Sequence, residues 1–424
     1  MATDADQLAH GDRATRANSR TEASPPHSRD RAALEGQPLP QGELALIRLP
    51  PLTMLRPSTQ TSAGRTPGDP DMTAPGRGEV PRPGPTTSQG THGLAPPAPH
   101  PLTPKETEAD MSTIDDPRIA RAVLARLTIV GDRLVHTMIH DEGPEAVLHR
   151  LIAGHLPQAE ARSAAAEQLG AAGLRQVATR IVVDTERIGA RIVIPQDAEW
   201  PTALEDLNQH RDATDDDARL PAPPPCLWVR GAQPLVETLH RSVAVVGARA
   251  ATSYGQHVAA EIGHGLAENG WTIFNTGGYG VDAAALRGAL TAGHLAVAIN
   301  PAGLDRPHPQ GNSALFERVS LISAWPPGSA PYRSRIAVNG AYLAAMTGGC
   351  VLVEAALRSG ARTVLAQANL LGRPVMAVPG PVTSALSVGC HEALRETPRV
   401  RLVRDVTDVV GHLAERRSPE RTTT

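Results

Sequence analysis

The chain has 424 residues, enough for two or three domains of roughly 100–200 residues each. Its net charge is −3, its three cysteines form no CxxC or CxxH pair, and it has no apolar stretch long enough to span a bilayer. These features argue against a cysteine-based zinc site, secretion and membrane insertion. We therefore expect a cytoplasmic protein that binds neither a metal nor a membrane.

Proline marks the first division of the chain. Eighteen of the 39 prolines fall within the first 110 residues, which contain no aromatic residue and little apolar periodicity. Such a segment cannot offset the entropy of ordering. We predict that residues 1–112 are a disordered, proline-rich extension. Met111 precedes a helix start at Pro117 and resembles a second start of the protein.

Helical spacing of apolar residues follows this extension and predicts a small helical domain of the SAM or helix-hairpin-helix kind over 113–190. The repeating residues are Ile119, Val123, Leu127, Leu134, Met138, Val147, Leu148 and Leu151. Residues 191–240 are predicted to connect this domain to the next one. They contain a strand from Arg191, a helix over 202–207 and a strand over 226–229.

From residue 241 to 412, short apolar strands alternate with helices. We expect strands at 243–246, 271–274, 295–299, 350–353, 375–378 and 400–403, and helices at 255–269, 282–292, 361–371 and 388–395. This alternation predicts an α/β fold with a Rossmann-like parallel sheet covered on both faces. Residues 413–424 are expected to be a disordered tail.

Ligands of such sheets bind beyond the carboxyl ends of the strands, where two loops are rich in glycine. The first loop enters a helix whose free N–H groups favour a phosphate, and its candidate residues are Gly247, Arg249, Thr252, Ser253 and Gly255. The second contains Gly277, Gly278, Tyr279 and Gly280, with Asp282 suited to cap the next helix. Tight-turn geometry is an alternative explanation for both loops.

A third candidate is the segment 325–335, which brings Tyr332 beside Arg333 and Arg335. A ring that stacks on bases, next to arginines that meet phosphates, suits an unpaired nucleic-acid strand. A proline-stiffened surface loop with solvated arginines is the alternative. Residues 241–412 hold 14 Arg against 10 Asp plus Glu. Codon bias in a high-GC genome is the simpler explanation for the use of Arg in place of Lys, and phosphate recognition is the alternative.

Neither a nucleotide cofactor nor catalysis is expected. The first loop lacks GxGxxG, the second strand ends at Asn275 where a dinucleotide fold places an acid, and GxxxxGK[ST] is absent. Asp282, Asp305 and Glu354 lie near strand ends and could form an acid/base set. Asp282 and Glu354 equally suit a structural role in a loop or cap. We predict no catalytic residue, no cofactor and no enzyme activity.

Taken together, these loops resemble the DprA/Smf family of DNA-processing proteins, in particular its actinobacterial branch. The matching segments keep the family's order over about 200–395: 245–249 with 254–255, 277–282 with 287–290, 303–307, 326–328, 353–360, 372–374, and 378–384 with 389–391. The resemblance implies that the protein binds single-stranded DNA, forms a homodimer and loads a RecA-type recombinase during uptake of transforming DNA. It also implies that Arg249 and the 277–280 loop face the DNA backbone, with Arg333 and Arg335 nearby.

The chain also departs from the family pattern. Residues 339–341 are Asn-Gly-Ala where we expect Arg-Asn-Arg ahead of a helix start, and Leu286, Ala324 and Trp325 are unusual. This predicts a divergent member and leaves open a degenerate paralogue that no longer grips DNA. Another alternative is the LOG group of nucleoside-monophosphate hydrolases, whose Pro-Gly-Gly-x-Gly-Thr-x-x-Glu motif is missing. Because the chain ends soon after Val410, we expect no winged-helix domain.

Overall fold

The computed structural model describes residues 116–153, 155, 166–210 and 220–415. All of them lie in one of two compact units of the chain, Ala95–Thr424. The other unit, Met1–Leu94, and the predicted extension over 1–112 lie outside the described residues.

Four helices begin the described part of the chain: α1 (Pro117–Leu127), α2 (Arg133–Glu142), α3 (Pro144–Ile152) and α4 (Ala166–Arg187). Asp116 caps α1 by accepting a hydrogen bond from the Arg118 N–H (2.7 Å), and Pro117 occupies the first helical position. Gly131 and Gly143, with φ of 91° and 88°, separate the first three helices. The apolar residues identified by spacing are buried or packed against the core.

Nine strands of the described residues form one sheet in the order β1-β2-β6-β5-β4-β3-β7-β8-β9. They are β1 (Arg191–Val193), β2 (Leu227–Arg230), β3 (Ser242–Val246), β4 (Thr272–Asn275), β5 (Ala296–Ile299), β6 (Ser320–Ser323), β7 (Cys350–Leu352), β8 (Val375–Ala377) and β9 (Val400–Leu402). Neighbouring strands from β3 to β9 pair in parallel, whereas β1–β2 and β2–β6 are antiparallel. The predicted Rossmann-like α/β fold is confirmed, and the segment 191–240 adds two strands to the same sheet.

The helices that accompany the sheet are α5 (Leu235–Leu239), α6 (Ser253–Glu268), α7 (Val281–Thr291), α8 (Ser313–Phe316), α9 (Arg333–Met346), α10 (Gly360–Leu370), α11 (Val388–Glu396) and α12 (Val406–Glu415). Thr202–His210 and Gln310–Asn312 are 3₁₀ helices. Residues 413–415 belong to α12, in which Leu413 is buried, so they are helix where the sequence predicted tail.

The sequence did not predict β6, the helices α5, α8, α9 and α12, or the short 3₁₀ helix Gln310–Asn312. Arg333 and Arg335 lie in the first turn of α9 and not in a loop. This helix is buried on every side from Asn339 to Met346, so its sequence shows no alternation of apolar and polar faces. The prolines before Tyr332 favoured an irregular segment, but they end just before the helix begins.

The three cysteines, Cys226, Cys350 and Cys390, are buried free thiols. Within the described ranges, no three His, Cys, Asp or Glu side chains are grouped as metal ligands. Of the helices the structure describes, none is both long and apolar enough to cross a bilayer.

Candidate nucleic-acid interface

Parallel strands end at the same edge of a sheet, and the loops after five of them form the candidate site. In the order of the strands these loops are 324–332 after β6, 300–312 after β5, 276–280 after β4, 247–252 after β3 and 353–359 after β7. The direction of winding reverses between β3 and β7, which is the switch point where α/β sheets hold ligands. We call these five loops, together with the first turns of the helices that follow them, the carboxyl edge.

A buried carboxylate holds the loop after β3. Thr252 is the N-cap of α6, and its hydroxyl accepts a hydrogen bond from the Gly255 N–H (3.1 Å). The same hydroxyl donates to Glu354 Oε1 (2.6 Å), and the Thr252 N–H donates to Glu354 Oε2 (3.0 Å). Glu354 is 1% exposed, and a Cβ at Gly255 would lie 2.0 Å from its Oε2. Only glycine fits at position 255.

The carboxylate of Glu354 occupies the position at the N-terminus of α6 where the sequence predicted a bound phosphate. A helix N-terminus attracts negative charge, and at α6 Glu354 already supplies it. The N–H groups of Thr252 and Gly255 have acceptors within the protein, and a phosphate that approached them would be repelled by Glu354. Arg249, Thr252 and Ser253 remain exposed. The geometry therefore favours the Arg249 side chain, and not the backbone N–H groups, as this loop's contact for a phosphate.

The glycine loop after β4 is also satisfied internally. Asn275 Oδ1 accepts a hydrogen bond from the Gly277 N–H (2.8 Å), and Asp282 Oδ2 accepts from the Thr276 N–H (3.1 Å) and hydroxyl (2.6 Å). Asp282 is not the N-cap of α7 as predicted, because Gly280 holds that position. Instead it lies in the first turn and reaches back to the loop. Burial raises the pKa of Asp282, and the hydrogen bonds from Thr276 oppose this shift.

Close contacts join neighbouring loops into one surface. Asn312, after β5, donates from Nδ2 to the carbonyl oxygen of Gly277 (2.8 Å). A Cβ at Gly280 would lie 2.3 Å from a backbone oxygen of the loop after β3, and one at Gly247 would lie 2.9 Å from the backbone oxygen of Glu354. The Asn312 side chain therefore joins the loops after β5 and β4, and at Gly280 and Gly247 the loops after β4, β3 and β7 come so close that only glycine fits.

Positive charge at the carboxyl edge is largely unpaired. Asp305 accepts a hydrogen bond from the Gly328 N–H (2.7 Å), and Asp282 and Glu354 are buried, so the edge's carboxylates are engaged inside the protein. Four exposed arginines of the edge have no hydrogen bond or ion pair to their side chains within the described ranges: Arg249, Arg306, Arg333 and Arg358. Such a surface attracts anions.

Arg249 lies near the loop after β5. Burial lowers the pKa of His308 in that loop, and the positive charge of Arg249 lowers it further. His308 is therefore mostly neutral at pH 7, and the arginines supply the positive charge there.

All exposed aromatic rings of the protein lie at this edge. The sequence has four Trp, four Tyr and two Phe, all within the described ranges, and seven of these ten are buried. The others are Tyr254 in the first turn of α6 (39% exposed), Tyr279 in the loop after β4 (47%) and Tyr332 just before α9 (49%). Rings contribute most to stability when buried. Three exposed rings among unpaired arginines therefore indicate a surface on which flat groups stack.

Arg335 is held differently from its neighbour Arg333. Its guanidinium lies 5.2 Å from the ring centroid of Tyr332 and 5.9 Å from that of Trp325, and its Nη1 donates to the carbonyl oxygen of Ala330 (2.8 Å). Burial lowers the pKa of Arg335. Arg335 therefore supports the Tyr332 ring from the protein side, while Arg333 is exposed.

The structure brings the predicted site residues to one edge but gives them different positions. Exposed there are Arg249, Thr252, Ser253, Tyr279 and Arg333, whereas Gly255, Gly277 and Gly278 are buried and Gly247, Gly280 and Arg335 are half-buried. Sequence reasoning assigned no role to Tyr254, Arg306 and Arg358. All three lie in segments that carry the family resemblance, and their positions shortly after strand ends were the available signal.

Residues 339–341, where the sequence predicts the loss of two arginines, lie inside the buried part of α9. Asn339 is 1% exposed and donates from Nδ2 to the carbonyl oxygen of Ile299 (2.7 Å), and Ala341 is fully buried. Arg333 and Arg335 lie earlier, in the first turn of α9. Because positions 339 and 341 are buried, their side chains do not form part of an exposed binding face, and this weakens the case for a degenerate paralogue.

Comparisons with known proteins agree with this fold. The sequence profile of the family described as DNA recombination-mediator protein A matches residues 191–414. A putative DNA processing protein DprA of Mycobacterium tuberculosis (strain ATCC 25618 / H37Rv) is 41% identical over 257 residues, which cover 57% of this chain and 64% of that protein. DNA processing protein DprA of Streptococcus pneumoniae (strain ATCC BAA-255 / R6) is 32% identical over 173 residues, 40% of this chain and 60% of that protein. The X-ray structure of DprA from Streptococcus pneumoniae matches with a TM-score of 0.50 at 22% identity, covering 73% of this chain and 98% of that one.

The fold and the edge define a class: a Rossmann-like α/β protein with a basic, ring-bearing surface at its switch point. The family match covers more than half of the 424 residues. The chain belongs to the DNA recombination-mediator protein A family, whose members named above are called DprA. The alignment with the mycobacterial relative covers 64% of that protein's length.

Proposed function

We propose that this protein binds single-stranded DNA at the carboxyl edge and delivers the strand to a RecA-type recombinase. The observation that supports this most directly is that Tyr254, Tyr279 and Tyr332 are exposed at the same sheet edge as four arginines without an ion pair in the described ranges. Unstacked bases lie on aromatic rings while the backbone meets guanidinium groups, and a duplex leaves no base face free for such contacts. Family membership supports a DNA ligand. In this proposal the protein acts in the cytoplasm as a homodimer, needs no cofactor and catalyses no reaction.

The test is equilibrium binding of the full chain to a fluorescent oligothymidine over a range of salt concentrations, with duplex as competitor. We expect Arg249→Ala to weaken binding and to reduce the log–log salt slope by about 0.7, because one phosphate contact is lost. Tyr279→Ala should cost about 1–3 kcal/mol at every salt concentration and leave the slope unchanged, because stacking releases no counterions. Arg318→Ala is the control, since this exposed arginine precedes β6 and lies at the opposite edge.

Absence of strand binding at low salt would overturn the proposal, as would equal affinity for duplex. The delivery step is tested by adding the protein to recombinase and to DNA coated with a single-strand-binding protein. The recombinase's DNA-dependent ATP hydrolysis should start sooner with the wild-type protein than with Arg249→Ala. Free base released from AMP would instead support the hydrolase alternative.

A further inference from the structure

The connection between α1 and α2 in the helical domain packs directly on α9. Gly131, between α1 and α2, approaches this helix so closely that a Cβ there would lie 3.3 Å from Tyr342 Oη and 3.5 Å from Val338 Cγ1. The Gly131 carbonyl oxygen accepts a hydrogen bond from the Ala222 N–H (2.9 Å), and the Tyr342 hydroxyl donates to the Ala222 carbonyl oxygen (3.0 Å). The α1–α2 turn is therefore fixed against the sheet domain.

Val338 and Tyr342 lie on the same face of α9 as Arg335, because residues three, four and seven apart share a helix face. The α1–α2 turn therefore sits one turn along α9 from the arginines of the carboxyl edge. We call the surface formed by the end of α1, this turn and the first turn of α9 the seam.

Unpaired charge continues across the seam. Arg126, in the last turn of α1, is exposed and has no hydrogen bond or ion pair to its side chain in the part of the chain that the structure describes. Burial lowers the pKa of Arg335, and the positive charge of Arg126 lowers it further, so the two guanidiniums are close enough to repel each other. The neighbouring carboxylate of Asp132 is engaged as the N-cap of α2, with the Val135 N–H donating to it (2.9 Å).

An apolar side chain accompanies this charge. Ile129 follows α1 and is 58% exposed, more than any other large apolar residue of the helical domain that the structure describes. A polyanion with flat apolar faces satisfies both features, because its phosphates neutralise the two guanidiniums and a base covers the isoleucine. Arg126 also lies at the C-terminal end of α1, where a cation favours the helix dipole, so the test must separate this local role from ligand binding.

We propose that single-stranded DNA bound at the carboxyl edge continues onto the seam, where Arg126 contacts its phosphates and Ile129 contacts a base. This inference rests on the proposed function. It assigns the small helical domain a direct part in holding the strand, next to Arg333 at the start of α9.

The test measures affinity of the full chain for oligothymidines of increasing length. For the wild-type protein, affinity rises until the oligonucleotide fills both surfaces. Arg126→Ala should reach its plateau at a shorter length, and on long oligonucleotides its salt slope should be smaller by about 0.7. Arg126→Lys keeps the charge and should keep the slope, and Ile129→Ala should weaken only the longer oligonucleotides. Arg318→Ala is the matched control.

The outcomes are distinguishable. If Arg126→Ala and Arg318→Ala bind every length like the wild-type protein, the seam proposal is wrong and the proposed function stands. If the wild-type protein binds no oligonucleotide, both fail. A uniform loss at all lengths for Arg126→Ala, with unchanged urea unfolding, would place Arg126 within the primary site and overturn the idea of a separate extension.

Discussion

At the level of single residues, Glu354 explains why a glycine-rich switch point need not hold a nucleotide. Its carboxylate lies where Rossmann-type folds receive a phosphate, tied to Thr252 and facing Gly255. The sequence left open whether Glu354 was an acid/base group or a cap. In the structure its carboxylate accepts two hydrogen bonds from Thr252 and so joins the loops after β3 and β7, the two strands at which the winding reverses.

The contact between Gly255 and Glu354 predicts that substitutions at the two positions do not have additive effects on the free energy of unfolding. Gly255→Ala should lower the free energy of unfolding by about 1–3 kcal/mol, because the added methyl group would overlap Glu354. Glu354→Ala should cost a similar amount, about 1–3 kcal/mol, because the Thr252 N–H loses its acceptor. The double variant should be more stable than the sum of the two losses implies, since the methyl group then has room. Urea unfolding of the four proteins measures this coupling.

Gly360→Ala is the control for this cycle, because no atom lies within 4 Å of a Cβ built at that position and its φ is not positive. Its free energy of unfolding should change by less than about 0.5 kcal/mol. Additive losses in the double variant would contradict a direct steric conflict between positions 255 and 354.

The sequence predicts where candidate residues lie when their position follows from the end of a strand. Arg249 and Tyr279 follow strand ends and are exposed at the edge, as expected. The glycines could not be separated into ligand-binding and packing roles, because the acceptors of their N–H groups come from distant residues such as Glu354. Pairing across one hundred residues leaves no local pattern to detect.

At the level of elements, the spacing between α6 and α7 sets the distance between the two glycine loops. These helices meet without side chains between them: a Cβ at Gly263 would lie 2.3 Å from the Ala285 carbonyl oxygen, and one at Gly288 would lie 2.2 Å from that of Ala260. Each helix begins directly after a loop of the carboxyl edge. A change in their separation therefore moves Arg249 relative to Tyr279.

Gly288→Ala should destabilise the protein by about 1–3 kcal/mol, although alanine favours a helix. The reason is that α7 must move away from α6 to admit the methyl group. Gly411→Ala, in α12 with no atom within 4 Å of the added Cβ, should instead be neutral or stabilising by up to about 1 kcal/mol. Urea midpoints of the two variants, compared with the wild type, give the answer. Equal effects of Gly288→Ala and Gly411→Ala would mean that helix propensity alone determines the stability of both variants.

Most elements could be predicted because their periodicity survives in the sequence. The strands β3, β5 and β7 are short apolar runs, and their predicted bounds differ from the observed ones by one residue at most. In contrast, β6 begins and ends with serine, and α9 is enclosed for eight consecutive residues. Both elements form because tertiary contacts bury them, and a single sequence does not show those contacts.

At the level of the whole molecule, an ion pair helps to attach the helical domain to the sheet. Arg118 of α1 donates to both carboxylate oxygens of Asp197 (2.5 and 2.8 Å) and to the Ile192 carbonyl oxygen of β1 (2.6 Å). The hydrogen bond from Arg118 holds the pKa of Asp197 below its ordinary value. The pair is partly exposed, with 38% and 23% of the two side chains accessible, so solvent weakens it.

This geometry predicts a pH-dependent effect of Asp197→Asn. A lowered pKa in the folded state means that the carboxylate adds stability above its unfolded pKa and loses it as pH falls through the folded pKa. The variant should therefore be less stable by about 1 kcal/mol at pH 7. The difference should shrink in acid, where the wild-type carboxyl is also neutral. Urea unfolding at both pH values measures it.

Glu317→Gln provides the comparison, because Glu317 pairs with Arg230 at 3.3 Å while 73% of its side chain is exposed. Its effect at pH 7 should be close to zero. A difference for Asp197→Asn that persists unchanged below the folded pKa would show that packing, and not charge, holds this junction.

The strand order has a consequence for synthesis of the chain. Trp228 of β2 pairs with Ser323 of β6, which is translated only after β3, β4 and β5. On the ribosome, N-terminal segments emerge and collapse first, so β1 and β2 leave the exit tunnel long before their partner exists. Until Ser323 emerges, the nascent chain carries an open strand edge that neighbouring nascent chains could pair with. Translation speed between β2 and β6 therefore sets how long this edge stays unpaired.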